Sequence, residues 1–306
     1  MLNKSFFINR ADARGGGPEI FGSRLKESLI SRGYSFSPDS DNNIAIIEGE
    51  YKEGKNNILR LDGLYLDGKS VSSDKRNETI LSCYREFDSI VFQSEFCKDV
   101  YEAAAGPHKN STIINNGAPY AFSPFGHSRH IENFEKVCIA SASWRRHKRL
   151  EEMVEAFSSP KLKDIGLLVL GGASYMDSAK CPENVILLPS VPPDHLPNIY
   201  RSADAMIHLA WLDWCPNTVV EGLCCGLPVL CSSNGGTKEL VKNNGVVIQI
   251  EKDYIPGDPA SLYSPPKVDS DIIIEGVLSV LELEKHSGRS DLSIYKASEL
   301  YDSLLV

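Results

Sequence analysis

Short β-branched or aromatic runs alternate with amphipathic helical stretches along this chain, and that alternation constrains the fold more than any other feature. It predicts parallel sheets wrapped by helices. In the first half, strands are expected at Ser5–Asn9, Ile44–Ile47, Ile58–Leu61, Ser89–Phe92 and Ser111–Ile114, with helices over Glu19–Arg32, Glu78–Phe87 and Glu95–Ala104. The stretch Asn115–Arg129 carries Gly117, Pro119, Pro124 and Gly126, lacks periodicity and reads as a linker. The alternation then restarts. Strands are expected at Val137–Ala140, Ile165–Leu170, Val185–Leu188, Ala205–Leu209, Pro228–Cys231 and Val246–Ile250. Helices are expected at Arg149–Phe157, Asp194–Arg201, Asn217–Cys225 and Thr237–Val241, with two more closing the chain.

At ~150 residues per domain, 306 residues suit two doubly wound domains in series. We place them at 1–125 and 130–288, with a C-terminal helix in 289–306 packing back on the first. A net charge of -9 disfavours a nucleic-acid grip, which needs a concentrated positive face. A local cationic pocket for a small anion stays compatible with it. No apolar stretch approaches the ~20 residues of a membrane span. The 8 Cys form no C-x-x-C pair, which suits a reduced, cytoplasmic protein without a zinc site.

Ligands of such sheets bind beyond the carboxyl ends of the strands. Three loops leave strands and open helices there: Ser141–Lys148, Ala210–Pro216 and Ser232–Gly236. The first holds Arg145, Arg146, Lys148 and Arg149, able to neutralise a diphosphate beside a helix N-terminus; a solvated basic helix start would have the same composition. The second holds Asp213, and Glu221 lies one turn into the following helix. A carboxylate can accept both hydroxyls of a sugar diol. The amides of Cys215, Asn217 and Thr218 can meet an anion, and Pro216 suits a first helical turn. In the third, Gly235 and Gly236 clear space for a ligand or another backbone.

The ordered series S-x-W-x-x-H-K-R-L, Y-R-S-A-D, D-x7-E with G-L-C-C-G-L-P-V-L, and N-G-G-T-K-E-L resembles the retaining glycosyltransferases of family 4 over about Val137–Val241. Arg14–Gly17 resembles that family's glycine-rich acceptor-side loop, and Ile113-Ile114-Asn115-Asn116-Gly117 its hinge signature. The resemblance implies an α/β, GT-B-like fold: two Rossmann-like domains facing across a cleft. It implies that Glu221 binds the nucleotide ribose, Asp213 the donor-sugar hydroxyls, and Cys215–Thr218 the sugar and diphosphate. Lys148 resembles the diphosphate lysine, with Gly16 and Gly17 bordering the diphosphate from the opposite domain.

The chain also departs from the family. Asp213 replaces the usual Glu, Cys215-Pro216 the usual Phe-Gly, and Ser143 stands at the usual Arg, so that Arg145 or Arg146 would supply the cation. The acceptor-side histidine has no counterpart; Asp62 is a polar candidate for contacting the acceptor. A first domain near 125 residues is short for the family.

Other chemistries lack their motifs. Gly15–Ile20 misses the last glycine of a dinucleotide fingerprint, and the chain has no P-loop, nucleophile elbow or H-E-x-x-H. The D-x-D runs at Asp39–Asp41 and Asp269–Asp271 read as helix or turn caps, His147 as a polar neighbour of the cationic loop and His208 as a satisfied strand histidine. The expected activity is a metal-independent, retaining hexosyl transfer from a UDP- or GDP-linked sugar to a hydroxyl of a glycan or glycolipid. No cofactor beyond the donor substrate is expected. The alternative is a nucleotide-sugar-binding protein with little turnover. Peripheral membrane contact through a lipid-linked acceptor is compatible with this sequence, which specifies no oligomeric state.

Overall fold

The computed structural model describes residues 4–12, 14–69, 71, 74–173, 176–189, 191–250 and 253–306. Among them, two parallel six-stranded sheets carry the architecture. The first contains β1 (Ser5–Ile8), β2 (Ser35–Phe36), β3 (Asn42–Ile46), β4 (Asn56–Leu61), β5 (Ser89–Phe92) and β6 (Ser111–Ile113), ordered β2-β1-β3-β4-β5-β6. The second contains β7 (Lys136–Ser141), β8 (Ile165–Leu170), β9 (Val185–Leu187), β10 (Ala205–His208), β11 (Val229–Ser232) and β12 (Gly245–Ile248), ordered β12-β11-β10-β7-β8-β9. Strands such as β7 and β8 are near-continuous apolar runs because helices cover both faces. The two-residue β2 was not expected; it is too short to leave a periodic signal.

The helices are α1 (Gly17–Ser31), α2 (Glu78–Glu86), α3 (Glu95–Ala105), α4 (Leu150–Phe157), α5 (Leu196–Ser202), α6 (Asn217–Cys224), α7 (Thr237–Val241), α8 (Ser270–Leu281) and α9 (Ile294–Asp302). In α4, Leu150, Met153, Val154 and Phe157 form one buried stripe. It packs against Ile273, Ile274, Val277 and Val280 of α8 in the core beneath the second sheet. Each such side chain contributes about 1.5–3 kcal/mol on burial. The helix starts at Leu150, one residue later than expected, because Arg149 takes a left-handed conformation (φ 57°). The Asp269 carboxylate accepts from the Asp271 N–H and caps α8, as read for that D-x-D run. Among the described residues no helix is long and apolar enough to cross a membrane.

Helix α9 begins where Ser293 Oγ accepts from the Lys296 N–H at 3.2 Å, and it lies along α1. Ser28 donates to Ser298 at 2.8 Å, Tyr301 packs near Phe21, and Arg32 and the Tyr34 hydroxyl both reach Asp302. The chain therefore crosses between the domains twice. The crossings pair with each other: the Ala118 N–H donates to the Leu292 carbonyl at 2.9 Å, and the Ile294 N–H to the Ala118 carbonyl at 2.8 Å.

The carboxyl edges of the two sheets face each other. Asn116, beyond β6, donates from Nδ2 to the Cys215 carbonyl at 2.8 Å. Trp214 sits on Gly63, where a Cβ would lie 1.7 Å from the indole nitrogen, and packs on Phe96 at 5.0 Å between ring centres. Glu239 of α7 accepts the N–H groups of Glu95 and Phe96 at the start of α3, at 2.7 and 2.8 Å.

Candidate active site

The second sheet runs β7, β8, β9 in one direction, and the chain then returns to set β10 on the other side of β7. The loops after β7 and β10 therefore diverge and leave a crevice at the sheet's switch point. Lys148 comes from the first loop and Asp213 from the second, and the Lys148 ammonium donates to Asp213 Oδ2. His208, the last residue of β10, places Nε2 2.9 Å from the same oxygen. Oδ1 accepts the Trp214 N–H at 2.9 Å.

Burial alone would raise the Asp213 pKa, but the Lys148 charge and the His208 hydrogen bond override it and hold the carboxyl well below the usual carboxylate range. Asp213 is thus an ionised acceptor, not an acid. Burial pushes the His208 pKa down against the opposing pull of Asp213, so a neutral ring donates from Nε2 to the carboxylate. His147 is pushed down to about 4 by burial and by the Lys148 charge. Its carbonyl accepts from the Trp211 N–H at 2.7 Å.

The other cations of this loop go elsewhere. Arg149 is buried and donates to the carbonyls of Leu209 and Pro266 at 3.3 and 2.9 Å, which ties the loop to its neighbours. Arg145 and Arg146 are exposed, and Arg146 lies 4.0 Å from Glu151. Lys148 is the member of the cluster that meets Asp213.

Pro216 precedes α6, which has no side-chain cap; the Val219 and Val220 N–H groups both donate to the Pro216 carbonyl at 3.1 Å, and those of Asn217 and Thr218 open the helix. Across from them is the start of α1. Gly16 and Gly17 are exposed there, and the Gly17 carbonyl accepts from Asn217 Nδ2 at 3.2 Å. Thr218 is half-buried in the same turn of α6. Cys215 is buried, and burial pushes its thiol up to about 12, which makes it a packing group.

A Cβ on Gly235 (φ 92°) would lie 2.7 Å from the Asp213 carbonyl oxygen, and one on Gly236 2.1 Å from that of Trp214. The space these glycines clear is thus filled by the backbone of the neighbouring loop. The Gly236 N–H fixes that contact by donating to the Asp213 carbonyl at 2.7 Å.

Glu221 does not pair with the cations near Lys148. Its Oε1 accepts from Arg24 Nη2 of α1 at 2.5 Å, and Oε2 lies 3.4 Å from the Tyr200 hydroxyl. Burial pushes the Glu221 carboxyl up and Arg24 counters it. Asp62 pairs with buried Arg60, which also donates to Gln93 at 3.0 Å and Asn116 at 2.6 Å. Several buried polar atoms around the cleft loops have no partner: Arg24 Nη1, Asn217 Oδ1, Ser233 Oγ and Thr237 Oγ1.

Two cavities lie apart from the Lys148–Asp213 pair. One of about 310 Å³ is at the amino edge of the second sheet, among Arg129, Val137, Arg201, Asp204 and Lys285. The other, about 290 Å³, lies between Trp211 and the 253–266 segment. The polar groups that converge on Asp213 lie instead at the switch point. No group of three His, Cys, Asp or Glu side chains suited to a metal ion occurs among the described residues.

Two members of this arrangement were not assigned from sequence. His208 is a satisfied strand histidine, as read, but its partner is the site carboxylate; its place at the carboxyl end of a strand was the available signal. Arg24 had none, since its partner is 197 residues away.

The family profile described as glycosyl transferases group 1 matches residues 127–287. Among solved structures, sucrose-phosphate synthase from Thermosynechococcus elongatus is 13% identical, with 99% of this chain and 95% of that chain covered and a TM-score of 0.66. A glycosyltransferase from Rickettsia africae is 13% identical, with 99% of each chain covered and a TM-score of 0.65. Anabaena HepE in complex with UDP and glucose is 13% identical, with 98% of each chain covered and a TM-score of 0.64. No curated protein matches the sequence. The two facing Rossmann-like domains are the GT-B arrangement, and since the profile spans more than half of the residues, the chain belongs to the group 1 glycosyl transferases.

Proposed function

We propose that the protein is a retaining hexosyltransferase of family 4 that moves a sugar from a nucleoside-diphosphate donor to a hydroxyl of a glycan or glycolipid, without a metal. The observation that carries this reading is the meeting of Lys148, Asp213 and His208 at the switch point, beside the uncapped start of α6. As the glycosidic bond lengthens, negative charge grows on the departing diphosphate. Lys148 and the first-turn amides of α6 meet that charge from fixed positions, which is electrostatic preorganisation. Asp213 holds Lys148 in place and offers its remaining Oδ1 lone pair to a donor-sugar hydroxyl. Exposed Arg145 and Arg146 supply further positive potential at the mouth, and Gly16 and Gly17 leave room for the diphosphate on the opposite side. Asp62 is the acceptor-side polar group. The residues of the chain itself answer the leaving-group charge, so the reading needs no metal ligand.

The donor is UDP- or GDP-linked, and since the structurally similar HepE is complexed with UDP, uridine donors come first. A thermal-shift series with UDP, GDP and ADP identifies the base. Donor turnover in EDTA, with products read by mass and anomeric configuration by proton NMR, then tests the reaction. Retention supports the reading; inversion, or a dependence on added metal, overturns it. Nucleotide binding with no sugar released favours the non-transferring alternative, which the pairing of Asp213 with Lys148 and His208 also fits. Glu221→Ala should weaken nucleoside diphosphate binding about ten- to a hundredfold, since a hydrogen bond to a charged group is worth ~1.5–3 kcal/mol.

A further inference from the structure

Glu221 is read above as the carboxylate that meets the donor ribose, and the present inference rests on that reading. The carboxylate has a companion. Arg24, about two turns into α1 on the opposite domain, gives Oε1 one hydrogen bond of 2.5 Å from Nη2. Its other terminal nitrogen, Nη1, is buried and has no hydrogen-bond partner, while the guanidinium carbon lies 6.0 Å from the centre of the Phe122 ring. On the carboxylate side, Oε2 has only the Tyr200 hydroxyl, at a long 3.4 Å. Beside them Asn217 Oδ1 is buried and unpartnered as well. Joined through Nη2 and Oε1, Arg24 thus keeps a spare donor and Glu221 a weakly held acceptor.

A buried donor without a partner is costly, so a ligand that fills it gains over one that does not. An anion does not suit the place, because the Glu221 carboxylate is 2.5 Å from the guanidinium and would repel it. A hydroxyl does suit it, because it donates one hydrogen bond and accepts two. We propose that Arg24 is a donor-binding residue supplied by the first domain, its Nη1 donating to a ribose hydroxyl whose own proton is given to Glu221. The pair clamps the diol from both sides and selects ribose over deoxyribose. The two side chains belong to different domains, so the clamp exists only where the domains meet, as they do at this 2.5 Å contact.

The test is calorimetric titration of the whole protein with UDP, GDP and ADP and with their 2′-deoxy and 3′-deoxy counterparts. It compares the wild type with Arg24→Gln, Arg24→Lys and Glu221→Gln. The wild type should prefer the ribonucleotide over at least one deoxy form by about tenfold, equivalent to one hydrogen bond to a charged group. Both Arg24 variants should cut that preference to within about twofold; Arg24→Lys keeps the charge that faces Glu221 but offers no second nitrogen. Loss of binding and preference in Glu221→Gln, with preference intact in both Arg24 variants, overturns the role of Arg24 and leaves that of Glu221 standing. Tighter binding of ribo and deoxy forms alike by Arg24→Gln makes Arg24 a competitor, which also overturns it. If no nucleotide binds the wild type, or Glu221→Gln binds as the wild type does, the reading of Glu221 fails first.

Discussion

The two edges that face each other across the cleft spend their charge differently. On the second domain, Lys148, Asp213 and His208 converge at a crevice between diverging loops, and the residues around them come from short contiguous motifs. On the first domain, Arg60 is fully buried and tied to Asp62, Gln93 and Asn116, while Arg10 pairs with Glu19 and Glu48. Those residues are scattered, one or two at the end of each strand. The second edge ties its cation, Lys148, to a carboxylate on the neighbouring loop of the same edge. The first edge ties Arg60 and Arg10 to its own loops and leaves Arg24 to reach Glu221 across the cleft. The same fold can therefore set its ion pairs at the rim of an edge, below it or between edges.

Four experiments sharpen or break this contrast. The largest effect is expected at Arg60. Arg60→Leu removes the partner of Asp62 and two further hydrogen bonds, so stability to urea should fall by about 3–5 kcal/mol. Nucleotide affinity of the folded fraction should stay close to wild type; a large loss would make Arg60 itself part of the nucleotide site. Next, Lys148→Ala should lower kcat about 10²–10³-fold while the donor KM moves less, as expected for a group that acts on developing charge. An effect confined to KM would make Lys148 a uniform binder and erase its distinction from the first edge.

A smaller effect is expected where the edges touch. Glu239→Gln weakens two hydrogen bonds from the start of α3 and should cost about 1.5–3 kcal/mol, read as a lower urea midpoint. The smallest is a slope. The Asp213 pKa is depressed in the folded state, so its contribution is present above the ordinary carboxylate pKa and is lost as pH falls below it. Between about pH 5 and about pH 3, the melting temperature of the wild type should fall further than that of Asp213→Asn, by about 2–4 °C for each kcal/mol involved. Parallel slopes would show that the second edge, like the first, is titrated elsewhere.

Apart from the two-residue β2, the strands of both sheets were legible because buried parallel strands are written as apolar runs, and the three cleft loops are the segments that leave strands and open helices. The turn into α4 was misread by one residue because the left-handed Arg149 looks locally like a helix start. Within the site, the meeting of Lys148 and Asp213 was legible, since both lie on loops that must share one edge. What Glu221 touches was not. Its partner is fixed by how α1 docks on α6, and nothing near either residue in the chain records that docking. The same holds for Glu239 and the start of α3, and for Trp214 on Gly63. Local periodicity encodes each lobe; the contacts between lobes are encoded only in their shapes.

The paired crossings at Ala118 and Leu292–Ile294 bear on how the lobes move. A body hung from one tether can swivel freely, whereas one pinned at two adjoining points turns about a single line. The returning α9 makes this protein the second kind: two adjoining pins restrict any swing of its halves to one line, as a spine restricts the pages of a book.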